Sequence, residues 1–209
     1  MMKETRFRTI IYILFCISHN LSSQTVWDPD ILEKANTAKN TRYLKEAEKE
    51  IIFYTNLARA DGKLFAESYL NRYLESTGLK PDSFIISLIR ELEYIRDFPM
   101  LHPDKEVYDV ARDHAIKSGK SGKQGHQGFD KRFKQISKTF YSYGENCYYG
   151  RDNPLMIVIG LLIDKDISDL SHRRNMLDPG FNSVGVSIMP HKIFGYNCVI
   201  DFGRKRLEE

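Results

Sequence analysis

Three stretches of this chain carry side chains able to do chemistry: Gly125-His126-Gln127-Gly128, Gly144-Glu145-Asn146 and Ser171-His172-Arg173-Arg174-Asn175. The glycines around His126 let the backbone turn and leave an imidazole free to project from a loop. A polar segment ahead of His172 adds Asp164, Asp166 and Asp169. Two imidazoles with one or two carboxylates suit a divalent transition metal, and nitrogen plus oxygen ligation favours zinc. The same groups would equally make an acid and base pair. His126 and His172 stand too far apart for the i, i+4 pair of a helical zinc motif, so any site they share must be assembled by the fold. Their separation also leaves open a third reading, in which they are unrelated surface or hinge residues.

His114 lies on the apolar stripe of a helix, a position that suits a hydrogen-bonded core histidine rather than a ligand. His102 and His191 read as turn residues. Asp201-Phe202-Gly203 spells the magnesium-binding tripeptide of kinases, but no glycine-rich loop or catalytic-loop Asp pattern accompanies it, so the match is accidental. No Gly-x-Ser-x-Gly or paired Cys and His signature of a nucleophile is present. Tyr141, Tyr143, Tyr148 and Tyr149, around Glu145, read as walls of a cavity.

At 209 residues and 42% hydrophobic content the chain can bury one core and is too short for two full domains. Ile51, Tyr54, Leu57 and Ala58 recur at helical spacing; Gly62 interrupts, and Phe65, Tyr69, Leu70 and Tyr73 resume a second helical stretch. Asp82 can cap a third helix striped by Phe84, Ile85, Leu88, Ile89, Leu92 and Ile95. Pro103 suits the first turn of a fourth, in which Val107, Val110, Ala111, His114 and Ala115 share a face until Gly119. Asn153-Pro154 opens a helix whose run Leu155 to Ile163 is apolar on every side, as expected between two layers. Strand patterns come late: Glu145 to Tyr149, the alternating Val184, Val186 and Ile188, a turn over Pro190 to Gly195, and Asn197 to Phe202. The expected class is α+β, a small, mainly antiparallel sheet covered by helices.

The N-terminus reads as a secretory signal peptide over 1–23: Lys3, Arg6 and Arg8, an apolar run from Ile10 to Ile17, and Leu21-Ser22-Ser23 before Gln24. That run is too short to span a bilayer, so no transmembrane segment is expected after processing. Residues 24–45 lack periodicity and read as a linker, leaving 46–209 as the ordered domain. Removing residues 1–23 takes away Lys3, Arg6, Arg8 and Glu4 and leaves 28 of the 31 basic side chains against 27 of the 28 acidic ones. A nearly neutral exported protein, periplasmic or extracellular, gives no reason to expect nucleic acid as a partner. In an oxidising compartment Cys147 and Cys198 are expected to pair across neighbouring strands; the alternative is two small buried thiols.

The ordered set Gly125-His126, Arg132, Gly144-Glu145-Asn146, Ser171-His172-Arg173-Arg174-Asn175-Met176-Leu177, Pro179, Phe181 and Val184-Gly185-Val186 resembles the bacterial branch of the CAP superfamily. This superfamily of cysteine-rich secretory, antigen 5 and pathogenesis-related proteins carries the SCP domain. Asn56-Leu57-Ala58-Arg59 is similar to the family's first helix, and Ala111 to Ala115 to the helix leading to its first histidine. The resemblance covers roughly 46 to 203. It implies an α-β-α sandwich with a central antiparallel sheet and a cleft lined by His126, Glu145, His172 and a second acid. Many members place a Glu three residues after a Trp at that last position. This chain has neither there, its only Trp being Trp27; Asp164 takes the place, with Asp166 behind it.

The resemblance implies a secreted binding module for a small-molecule or lipid-like ligand or an envelope or host protein. Its cleft would bind a metal, zinc first, through His126 and His172 with Glu145 or Asp164. The alternative is a metal-dependent hydrolase or protease in which Glu145 activates water.

Overall fold

The computed structural model describes residues 27–206. Helix α1 (Pro29–Ala35) starts where the Asp28 carboxylate accepts from the Asp30 amide and Pro29 supplies a preset first turn. Helix α2 (Glu46–Ala60) follows, and Gly62 opens a second helical run made of α3 (Gly62–Phe65), a π turn over Ala66–Leu70 and α4 (Asn71–Thr77). Asp82 caps α5 (Ser83–Leu92) through the Phe84 and Ile85 amides, as its sequence position leads one to expect.

Helix α6 (Lys105–Ser121) begins later than the sequence suggests. Pro103 lies outside it, in the short strand β1 (His102–Pro103), because Asp104 accepts from the Glu106 and Val107 amides and sets the helix start there. A short helix α7 (Phe129–Phe133) precedes strand β2 (Phe140–Gly150), which is longer than the Glu145 to Tyr149 pattern. Helices α8 (Pro154–Ile163) and α9 (Ser171–Leu177) come next, then strands β3 (Ser183–His191) and β4 (Gly195–Lys205).

The sheet runs in the order β1-β3-β4-β2, antiparallel except for the β1–β3 pair. Its strand alternation sorts side chains between two helical layers. Val184, Val186, Ile188, Cys198, Ile200 and Phe202 face the large core with α2, α5 and α8. Val199 and Cys147 point the other way, with Ala111 and Ala115 of α6. Gly185 lets α6 lie directly on β3: a Cβ there would come within 2.3 Å of the Tyr108 amide nitrogen. The fold is therefore the expected α-β-α sandwich with a mainly antiparallel sheet. Helix α8, with Ile157, Val158, Ile159 and Leu162 all buried, lies between layers as its all-round apolar sequence requires. Each such side chain contributes about 1.5–3 kcal/mol of transfer free energy.

Two expectations are corrected. Residues 27–45, expected to be linker, are part of the core: Trp27, Ala35, Ala38 and Leu44 are buried in the large cluster. The Trp27 indole donates to Ser68, and Asn56 donates to the Ala35 carbonyl. Capping and a few anchors, rather than periodicity, hold this segment. The Cys147–Cys198 disulfide does not form, and both thiols are free and buried. Cys147 lies opposite Val199 and Cys198 opposite Tyr148 in the β2–β4 register. One residue of offset puts the two sulfurs on opposite faces of the sheet. The signal peptide and its cleavage point lie outside the described residues.

Buried polar side chains fasten the layers. Arg59 donates to the carbonyls of Pro99, Met176, Asp178 and Phe181, tying α2 to the chain before β1 and to the α9–β3 connection. Asn56 both donates to and accepts from Leu101. On the outer edge of β3, Glu48 accepts from the Ile188 amide and Lys45 donates to its carbonyl, closing an otherwise unpaired strand edge with side chains.

Candidate functional site

Strand β2 presents Glu145 toward α6 and Asn146 toward α9, so adjacent residues of one motif serve opposite faces. The Glu145 carboxylate is buried and accepts from both terminal nitrogens of Arg132 on α7, at 2.5 and 3.0 Å. It also accepts from His126 Nδ1 at 2.8 Å. Burial by itself would raise its pKa; the hydrogen bonds from His126 and Arg132 outweigh that and hold the carboxyl below the usual range.

The His126 loop is fixed from behind. Tyr149 Oη accepts from the Gly125 amide at 2.8 Å, and the Gly125 carbonyl accepts from His114 Nε2 at 2.9 Å. Burial lowers the His114 pKa, so the ring is neutral with its proton on Nε2, the nitrogen that meets a carbonyl. His191 reaches the Lys123 carbonyl from the far side, so it is a buried fastener and not merely a turn residue. Of the remaining tyrosines expected to wall a cavity, Tyr143 stacks on Phe133, Tyr141 is exposed, and Tyr148 packs on the other face of the sheet against the large core.

The second histidine rests on a parallel device. His172 Nδ1 bonds Asp164 Oδ1 at 2.7 Å, while Asp164 Oδ2 accepts from the backbone amides of His172 and Arg173. These are free amides of the first turn of α9, and the nominal cap residue, Leu170, has no side chain able to accept them. Asp164 caps the helix and turns the ring with one carboxylate. It closes α8 in the left-handed conformation, φ 53°, which Asp tolerates. Asp166 is exposed, and the hydrogen bond to His172 comes from Asp164 instead.

The two pairs meet. The ring centroids of His126 and His172 are 6.5 Å apart. Each Nδ1 is committed to a carboxylate, which leaves each Nε2 without a hydrogen-bond partner among the described residues. His126 is the open one, with 47% of its side chain exposed against 18% for His172.

The motif residues between them are fasteners. Asn146 donates to the His172 carbonyl, and Asn175 donates to the Asn146 side chain. Gly144 makes room for this, since a Cβ would lie 2.7 Å from Asn175 Oδ1. Arg173 donates to the Leu162, Ile163 and Phe84 carbonyls, locking α9 onto α8 and α5.

One member of the site was missed in sequence. Asp201 is the cross-strand partner of Glu145, fully buried, with no donor reaching either carboxyl oxygen. Burial, then the neighbouring Glu145 charge, pushes its pKa well up, so Asp201 is a neutral acid whose hydroxyl is placed to donate to Glu145. The available signal was its place on the face of Val199, within a strand that the apolar run around it marks as covered on both sides.

His114, Glu145 and Cys147 also offer ligand atoms within 4.8 Å of one another. They suit a hydrogen-bond network better than a cation. Arg132 already supplies the positive charge to Glu145, His114 gives its proton to a carbonyl, and burial pushes the Cys147 thiol up and keeps it neutral.

A sequence profile described as the cysteine-rich secretory protein family, CAP, matches residues 96–202. The chain belongs to the CAP family. Among solved structures it is similar to a Bacillus anthracis extracellular protein containing an SCP domain, at 17% identity over 86% of this chain and 45% of that one, with a TM-score of 0.48. It is also similar to an outer surface protein of Borrelia burgdorferi, at 17% identity over 68% and 96%, TM-score 0.46. Venom allergen-like protein 4 of Schistosoma mansoni gives 14% identity over 79% and 93%, TM-score 0.48. The chain thus spans under half of the Bacillus protein and nearly all of the other two. No curated protein matches it in sequence.

Proposed function

We propose that this CAP domain is an exported binding module whose cleft holds a divalent cation, zinc first, between Nε2 of His126 and Nε2 of His172. The observation that carries this reading is the pair of carboxylates, Glu145 and Asp164, each fixing an imidazole through Nδ1 and leaving the metal-binding nitrogen unpaired. Outer carboxylates of this kind set the tautomer and raise the basicity of a ligating histidine. With two protein ligands, the remaining positions would be open to water or to a donor from a lipid-like ligand or partner protein, and the cation would supply charge to orient that donor. Export rests on the basic and apolar pattern of residues 1–23.

The hydrolase reading receives no support from this arrangement. Glu145 would have to accept a proton from water, yet both its oxygens are engaged by Arg132 and His126 and its basicity is reduced.

Calorimetric titration with zinc tests the proposal. The wild-type domain should bind, and His126→Ala/His172→Ala should lose the heat; unchanged heat in the double variant would remove these nitrogens as ligands. A peptide and ester hydrolysis screen on the zinc-loaded protein should stay at background.

A further inference from the structure

The turn joining β3 to β4 carries Ile193 and Phe194 on the surface, exposed by 66% and 37%. Among the described residues the other large exposed apolar side chains, such as Leu79 and Tyr94, are not neighbours in sequence. Scattered apolar residues are normal, and a cluster at one tip is not. The tip is rigid. His191 Nδ1 accepts from the Ile193 and Phe194 amides, the Lys192 amide donates to the Gly119 carbonyl, and Phe194 packs on Tyr149 at 5.6 Å. The apolar side chains are therefore held outward by the frame.

What surrounds the tip is basic. Ile193 rests against Gly122 at the end of α6, and that end carries Lys117, Lys120 and Lys123; Lys192 sits in the turn itself. Among the described residues only Lys117 of these lysines has an acidic partner, Asp113. Lys117 and Lys123 also line, with Asp113 and Lys131, a pocket of about 370 Å³ along the end of α6. No acidic residue lies between Pro190 and Asn197.

We propose that the β3–β4 turn docks the domain on an anionic phospholipid surface, with Ile193 and Phe194 entering the interface and Lys120, Lys123 and Lys192 against the headgroups. Aromatic and aliphatic side chains at a polar boundary take the headgroup level of a bilayer, and lysines around them add electrostatic attraction to anionic lipid. Unpaired lysines around an apolar tip fit a surface of uniform negative charge over an apolar interior, which a mixed-charge protein face does not offer. This docking is independent of a metal at His126 and His172.

Co-sedimentation with vesicles tests it. The chain from Gln24 onward is used, because it contains every described residue and lacks the apolar run Ile10 to Ile17, which would itself seek lipid. It should pellet with vesicles of equal parts phosphatidylglycerol and phosphatidylcholine, stay soluble with phosphatidylcholine alone, and bind less as salt rises. Ile193→Ser/Phe194→Ser and Lys120→Glu/Lys123→Glu/Lys192→Glu should each weaken binding about tenfold or more, with unchanged thermal unfolding. Leu79→Ser, at an exposed apolar position on the α4–α5 connection, should bind like wild type. Absence of binding to the anionic vesicles, or equal binding by all variants, overturns the proposal. So does concentration-dependent dimerisation that Ile193→Ser/Phe194→Ser abolishes in a protein that ignores vesicles, which would assign the tip to a second copy.

Discussion

Behind His126 stands a carboxylate held by another side chain; behind His172 stands one held by the backbone. Glu145 is neutralised by the buried Arg132 and backed by a second acid, Asp201, that keeps its proton. Among the described residues Asp164 has no Lys or Arg partner; besides His172 it is satisfied by the first amides of α9. The two nitrogens presented to the cleft are alike, but their supports have different physics. A charge paired with a charge inside the protein is costly to disturb, because removing one partner strands the other. A carboxylate on helix amides is a cap, of moderate worth and replaceable by an uncharged acceptor.

The sharpest way to break the comparison is Glu145→Gln. It leaves the Arg132 guanidinium buried without its anion and should cost about 3–5 kcal/mol in denaturant unfolding. Pairing it with Arg132→Met should recover much of that loss, as a cycle on a coupled pair requires. If Glu145→Gln costs no more than the corresponding change at Asp164, the distinction between the two supports fails.

The Glu145–Asp201 pair gives a pH signature of its own. Glu145 is held below the usual carboxylate range, so its contribution is present above its unfolded value and is lost only as pH falls through the lowered folded one. Asp201 is shifted the opposite way. Its contribution is complete below the ordinary Asp value and declines as pH rises toward the raised folded one, because the folded protein retains a proton the unfolded chain releases. Asp201→Asn keeps the shape and a donor for Glu145. It should flatten this decline, making the variant the more stable protein at pH 8 and the less distinguishable one at pH 3.5. Parallel slopes for variant and wild type would show that Asp201 is ionised.

The layers and the cleft residues were readable for the same reason: the apolar stripes of α5, α6 and α8 and the alternation of β3 and β4 are local patterns. His126, Glu145 and His172 stood out through their glycine, asparagine and arginine neighbours, which the structure shows to be fasteners. What was not readable depends on register and on long-range partners. Cys147 and Cys198 differ by one residue of offset in the β2–β4 ladder, a quantity no spacing along the chain reports. His114 looked like a core histidine and is one, but its bond to Gly125, which positions the His126 loop, spans two elements. Trp27 to Leu44 lacked periodicity because isolated anchors, not a repeating face, hold it down.

The backbone-held side is tested by milder changes. Asp164→Asn retains one acceptor for the α9 amides and suits the left-handed φ, so unfolding should lose only about 1 kcal/mol. It no longer places an anion on His172 Nδ1, and zinc affinity should fall about 10–100-fold, the usual cost of losing a carboxylate behind a ligating histidine. Stability and affinity should therefore separate at Asp164, whereas at Glu145 they fall together. Asp166→Asn sets the lower bound: its side chain is exposed, two residues along the same loop and also left-handed, φ 66°, a conformation Asn accepts equally. Neither unfolding nor zinc titration should move by more than about 0.5 kcal/mol. A fall in zinc affinity at Asp166 with none at Asp164 would transfer the outer carboxylate from one to the other, and with it the claim that a helix cap and a metal-orienting group are the same residue.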